Sequence, residues 1–226
     1  MILGISMKKY LDSWNKFEII LFSLSILLIF GIGFILECEL LSIIVSFLML
    51  FTALNQAKGN ILSQFIGVLV AILYSYISYN NRYYGETIIY VFILLPMYII
   101  GIYTWSLNNG SLSTVVNKNE IGIKEWIILI MINILLFILM YFLLDYFDTE
   151  QLLISTLSMN INLTATYLLI RRSKYSFIIY LFNSIIFLFL WGIPVLNGDY
   201  KLLPMLLEAI LLIVNDIYGT VRWMKR

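Results

Sequence analysis

The chain has 226 residues, of which 62% are hydrophobic and only 12% charged, with a net charge of +1. Soluble domains carry about 25% charged and about 45–50% apolar residues, so the apolar surplus here calls for a bilayer. A soluble enzyme, a nucleic-acid binder and a disulfide scaffold are excluded. The single cysteine, Cys38, has no intramolecular partner, and the complete absence of histidine removes histidine proton relays, His-rich metal sites and Ser-His triads from the chemistry open to this chain. No metal and no cofactor are expected.

A membrane helix needs roughly 20 mostly apolar residues. In chain order the sequence predicts eight spans, at 18–36, 40–56, 60–80, 86–107, 124–145, 151–170, 176–191 and 201–223. The first follows a short basic stretch holding Lys8, Lys9, Trp14 and Lys16, read as a positively charged anchor or as an interfacial amphipathic segment. It lacks an A-x-A-like site and leads straight into further spans, so it is read as a span and not a cleaved signal. Only the connection over 107–124, with Asn108-Asn109-Gly110-Ser111, reads as a flexible loop; the others are tight turns.

Charge sets the orientation. With the N-terminus in the cytoplasm, 12 of the 14 basic residues fall inside and only Arg82 and Lys201 outside, which satisfies the positive-inside rule. Glu37, Glu39, Glu86, Asp145, Asp148, Glu150 and Asp199 then fall in the outer turns. The expected protein is all-α and multi-pass, in the cytoplasmic membrane, with both termini cytoplasmic.

Polar residues inside hydrocarbon are costly and tend to face protein or a water-filled path. Here they are unevenly spread. In its middle the first span offers only serines, and the fifth offers only Asn133, whereas the other six carry amides, hydroxyls, phenols and carboxyls. Short echoes recur in the same order in two triples: Phe51-Thr52-Ala53 with Leu163-Thr164-Ala165, Tyr84-Gly85-Glu86 with Gly198-Asp199-Tyr200, and Ile102-Tyr103-Thr104-Trp105 with Ile217-Tyr218-Gly219 and Trp223. This predicts a leading helix (1–39), a first three-helix repeat (40–107), a loop and linker helix (108–149) and a second parallel repeat (150–226). Parallel repeats of this kind are a transporter design with the substrate at mid-membrane.

Several of these residues resemble the PnuC family of vitamin transporters: Lys58-Gly59-Asn60, Gly67, Tyr74-Ser75-Tyr76, Tyr84-Gly85-Glu86, the run Pro96-Met97-Tyr98-Ile99-Ile100-Gly101-Ile102-Tyr103-Thr104-Trp105, Arg171-Arg172 before the helix with Asn183, and Asn215-Asp216-Ile217-Tyr218-Gly219 with Trp223. The resemblance covers roughly 40–223. It implies a SWEET-like 3+1+3 layout, a homotrimer, and facilitated diffusion of nicotinamide riboside or a related vitamin precursor, trapped by a separate cytoplasmic kinase that does not bind stably. Relatives carrying thiamine, riboflavin or deoxynucleosides are the alternatives. Two features depart from the nicotinamide riboside pattern. Tyr98 stands where glutamine is typical, and Ser176 and Ile179 stand where a W-x-x-W-x-x-x-N pattern ending at Asn183 has its tryptophans.

The candidate substrate contacts are Asn160, Asn183, Tyr98, Gln64, Glu208, Asn215, Thr164 and Tyr103, because a hydroxyl-rich ligand with a ring calls for uncharged donors, acceptors and aromatic faces. Thr156, Asn160, Thr164 and Tyr167 share one helix face by their spacing; they either line a pore or join helices. Gln64 and Asn183 could meet near the axis. Glu208, Leu212, Asn215 and Gly219 share a face of the last span, and Glu208 reads as a ligand or gating contact, a structural hydrogen-bonded group or a proton-coupling carboxyl. Asp216 reads as a helix-end partner of Arg222 or Arg226. Pro96 is expected to kink its helix for gating, Pro204 only to start one. Trp105 is a gate or part of the interfacial belt, and Tyr83, Tyr84 and Trp126 are placed at the interfaces. The competing functions are an uncoupled facilitator, a proton-coupled carrier using Glu208, and a substrate-binding subunit of an ATP-driven importer. A membrane enzyme lacks both a P-loop motif and histidine.

Overall fold

The computed structural model describes residues 14–108 and 116–225. Lys8, Lys9, the Asn109-Gly110-Ser111 part of the long connection and Arg226 lie outside the described residues. Among the described residues the fold is all-α, and eight helices are long and apolar enough to cross a membrane. They are α1 (Lys16–Ile35), α2 (Leu40–Lys58), α3 (Leu62–Asn80), α4 (Tyr84–Leu107), α5 (Ile123–Tyr146), α6 (Leu152–Ile170), α7 (Ser176–Leu196) and α8 (Tyr200–Lys225). The chain is a multi-pass membrane protein.

Two helices run differently from expectation. α7 continues past position 191 through Pro194 to Leu196, because a proline one turn from a helix end removes few further bonds. α4 begins at Tyr84, which draws Glu86 out of the turn and into the first turn of the helix. The kink expected at Pro96 takes the form of a π-helical stretch, Tyr90–Leu94, immediately before the α-helix resumes at Leu95. Proline cannot donate to the carbonyl four residues back, and a wider turn accommodates the lost bond.

Six helices form a ring in chain order. α2 packs on α3, α3 on α4, α4 on α6, α6 on α7, α7 on α8, and α8 closes back on α2. α5 stands outside, against α6 and the start of α4, and α1 stands outside against α2 and α8. The apolar sequence of α5 explains its position. It buries only Leu129 and Leu144, so nearly its whole circumference is fit for lipid. Its single amide, Asn133, turns inward and accepts a hydrogen bond from Thr164 of α6 at 2.8 Å.

Alternate turns cluster at opposite ends. At one end Arg82, in the α3–α4 turn, pairs with Asp148 and with Glu150 (3.3 Å) in the α5–α6 turn. Beside it, the Tyr83 hydroxyl donates to the Leu190 carbonyl at 3.1 Å and accepts from the Gln151 amide at 2.7 Å. Tyr83 is therefore buried within the bundle rather than in an interfacial belt. Burial pushes its hydroxyl up to about 12, so it remains a donor. At the other end Glu18 of α1 is fully buried. It lies 3.4 Å from Lys58 at the end of α2, pairs with Arg222 of α8, and accepts from the Tyr218 hydroxyl at 2.8 Å.

Candidate functional site

The ring encloses a small cavity of about 50 Å³, lined by residues of α2, α3, α4, α6, α7 and α8. That is room for a few water molecules. Its polar wall comprises Gln56, Asn162, Asn183, Ser184 and Asp216; its rings are Tyr90, Tyr98, Tyr180 and Phe187. Tyr98 is seated there by Gly67 on the facing helix: a Cβ at Gly67 would come 2.6 Å from the Tyr98 ring. Glycine is the residue that lets the ring lie flat against α3.

Hydrogen bonds organise the wall across helices. The Asn162 amide donates to the Tyr90 hydroxyl at 3.3 Å, linking α6 to α4. The Ser158 hydroxyl donates to the Asn183 carbonyl oxygen at 3.4 Å, linking α6 to α7. Thr166 and Tyr180 share a hydrogen bond at 2.8 Å. The Ser184 hydroxyl donates to the Asp216 carboxylate at 2.6 Å, and the Asn215 amide donates to it at 3.3 Å. Buried amides and hydroxyls thus hold one another in place, with Tyr90, Asn162, Tyr180, Asn183, Ser184 and Asp216 of this network lining the cavity.

Aromatic layers bound the cavity on both sides. Toward the Arg82 end, Tyr74 packs on Tyr90 (4.3 Å between ring centroids), Phe187 (6.0 Å) and Trp191 (5.9 Å). Toward the Lys58 end, Trp105, Phe177 and Trp223 cluster with Ala57, Ile61, Val116 and Leu169. Phe177 lies over Gly219, where a Cβ would overlap its ring. The Trp223 indole donates to the Ala57 carbonyl at 3.1 Å and the Gln56 carbonyl at 3.3 Å. Every ring helix except α3 contributes a residue to this apolar plug.

The sequence-predicted residues separate into groups. Asn183 and Tyr98 line the cavity. Asn215 lies beside it through its bond to Asp216. Asn160 and Thr164 do not line it: the Asn160 amide donates to the Thr156 carbonyl of its own helix at 2.9 Å, Thr164 bonds Asn133, and Tyr167 donates to Glu125 of α5 at 2.7 Å. The face shared by these residues is turned toward α5. Gln64 is fully buried against Gly101, and its amide has no hydrogen-bond partner, so it makes no bond to Asn183. Glu208 is fully buried one turn from the cavity-lining Leu212, with neither carboxylate oxygen hydrogen-bonded. Tyr103 is exposed on the outer face, at 66%, and Pro96 is exposed too. Trp105 is fully buried in the plug.

One reading is corrected. Asp216 does not pair with Arg222, which is held by Glu18 and Tyr218; the aspartate points inward to Ser184. Glu86 and Asp216 are buried carboxyls, as Glu208 is. Gln56, Asn162, Tyr180, Ser184 and Asp216 were not counted as contacts from the sequence. A signal for one of them existed: Ser158, Asn162 and Thr166 repeat every four residues, a second polar face on α6.

A family described as "Nicotinamide mononucleotide transporter" matches residues 39–225. A nicotinamide riboside transporter PnuC of Haemophilus influenzae is 23% identical over 220 residues, 96% of this chain and 94% of that protein. A nicotinamide riboside transporter PnuC of Neisseria mucosa is 20% identical over 172 residues, 74% of this chain, and the chain spans 65% of that relative's length. The crystal structure of the vitamin B3 transporter PnuC superposes with a TM-score of 0.83 at 17% identity, covering 98% of this chain and 97% of that one, and shares the fold. With its ring helices all inside the matched region, the chain belongs to the nicotinamide mononucleotide transporter family.

Proposed function

We propose that this protein carries nicotinamide riboside, or a closely related vitamin precursor, across the cytoplasmic membrane through the centre of the six-helix ring. The observation that carries the reading is the composition of the cavity wall. Amides and hydroxyls suit a ribose and a carboxamide, and aromatic faces suit a flat heterocycle. The wall also favours the riboside of the relatives' names over the mononucleotide of the family description. It has one carboxylate and no basic side chain, a setting hostile to the phosphate of a mononucleotide and compatible with the positively charged pyridinium of the riboside.

The carrier works by facilitated diffusion with alternating access. The Trp105–Phe177–Trp223 plug and the Tyr74–Tyr90–Trp191 layer are the two closures, opened in turn. α2–α4 and α6–α8 act as parallel repeats, with α5 as the linker, a layout supported by the ring order of contacts and by the peripheral place of α5. The termini are cytoplasmic, the assembly is a homotrimer, and a separate cytoplasmic kinase traps the solute without stable binding. A proton-coupled cycle on Glu208 is the second reading, supported by its buried and unpartnered carboxyl.

Binding to purified protein tests the substrate class. Nicotinamide riboside is expected to bind more tightly than nicotinamide mononucleotide, thiamine, riboflavin or deoxynucleosides, as read by calorimetry or a shift in unfolding temperature. Preference for the mononucleotide or for another vitamin would reassign the substrate.

A further inference from the structure

We propose that the passage selects positively charged solutes, with Asp216 as the counter-charge in the cavity and Glu86 and Glu208 as a second acidic station beside the Tyr74–Tyr90 pair. The inference rests on the carrier reading and deepens it. Among the described residues, every Lys and Arg lies at a helix end or in a turn. The one buried cation, Lys58, is held by Glu18 outside the ring. The interior carboxyls have no such basic partner. Glu86 and Glu208 are fully buried, Asp216 is 3% exposed, both carboxylate oxygens of Glu208 accept no hydrogen bond, and Glu86 has only the Ser158 hydroxyl beside it.

The three are spread along the axis rather than clustered. Glu86 lies in the first turn of α4, Glu208 two turns into α8, and Asp216 two turns further down α8. Glu86 and Glu208 stand within electrostatic reach of both the Tyr74 and the Tyr90 hydroxyl. Tyr90 in turn lines the cavity that Asp216 faces. A solute passing from the Arg82 end meets Glu86 near the start of α4, then the level of Tyr74, Tyr90 and Glu208, then the aspartate.

An isolated carboxyl in a membrane interior is costly and marks an ion or substrate path. A mobile cation offsets that cost while it is bound, and the faces of Tyr90, Tyr98 and Tyr180 add attraction for a cationic ring. An anion gains nothing from this wall, which offers it no basic side chain. The carboxyls thus supply what the neutral amides do not: discrimination by charge between solutes of one shape.

The test compares nicotinamide riboside with its uncharged 1,4-dihydro form, nearly the same in shape, by binding to the purified full-length protein. Wild type is expected to prefer the charged form. Asp216→Asn is expected to weaken its binding about tenfold or more, the size of a lost charge contact, and to leave the neutral form's affinity within about twofold. Glu208→Gln, read in the same way, serves should Asp216→Asn unfold, with unfolding temperature as the control. Equal affinity of wild type for the two forms, or equal losses for both in the variants, overturns the inference. If wild type binds neither riboside, the substrate reading fails. The charge inference is then decided on thiamine, a cation, against neutral uridine: preference for thiamine sustains it, and no preference overturns it.

Discussion

Replacing Glu18 with alanine is expected to lower the unfolding free energy by about 3–5 kcal/mol, the cost of breaking a buried ion pair from one side. Glu18 has 0% exposure and joins elements far apart in sequence: Lys58 at 3.4 Å, Arg222, and Tyr218 at 2.8 Å. It also closes the α1 capping box by accepting from the Asn15 backbone at 2.9 Å. Alanine removes the buried carboxylate beside the Lys58 ammonium and loosens α1 from the seam between α2 and α8. Glu18→Gln keeps the shape and much of the hydrogen bonding, so its loss is expected to be smaller. Thermal unfolding in detergent measures both. Near wild-type stability of Glu18→Ala would show that α1 is not fastened through this residue. Because the family match starts at residue 39, Glu18 fastens a helix that lies before it onto the matched core.

Trp223→Ala is expected to be comparably severe, about 3–5 kcal/mol for emptying a buried tryptophan site. The indole is fully buried, 5.9 Å from Phe177 and 6.4 Å from Trp105 between ring centroids, and it donates to two carbonyls at the end of α2. Its removal takes the largest piece from the plug that closes the Lys58 end. A functional effect is expected beyond stability: faster dissociation of bound solute. Trp223→Phe retains most of the volume and loses the donor, for about 1–3 kcal/mol. Equal stability and solute retention in Trp223→Ala and wild type would mean that this end is closed by other residues.

Much of the architecture was legible because it follows from solvent. Eight apolar stretches separated by charged turns leave little choice in a bilayer, and the plainness of the fifth span, with Asn133 its only amide, already marked it as peripheral. Which face of a polar helix turns inward was not legible. α6 carries two polar faces with the same four-residue spacing, and the one that begins at Thr156 was chosen although the other meets the cavity. Period alone cannot separate a face packed on a neighbour from a face lining a path. Tyr83 and Glu86 were assigned to the interface from their place near a turn. The positive φ of Arg82 (58°) ends the turn abruptly there, and α4 starts early enough to carry both side chains into the bundle. Asp216 was paired with Arg222 by helical spacing, but Glu18, 204 residues away, holds that arginine. Partners supplied by distant segments are invisible to local spacing.

The central claim is that the ring conducts a nicotinamide riboside-type solute by itself. Uptake of labelled nicotinamide riboside into proteoliposomes holding only the purified protein tests it most directly. Saturable uptake to equilibrium is expected without ATP, unchanged by a protonophore. Absence of uptake, or uptake that collapses when the proton gradient is discharged, would contradict it.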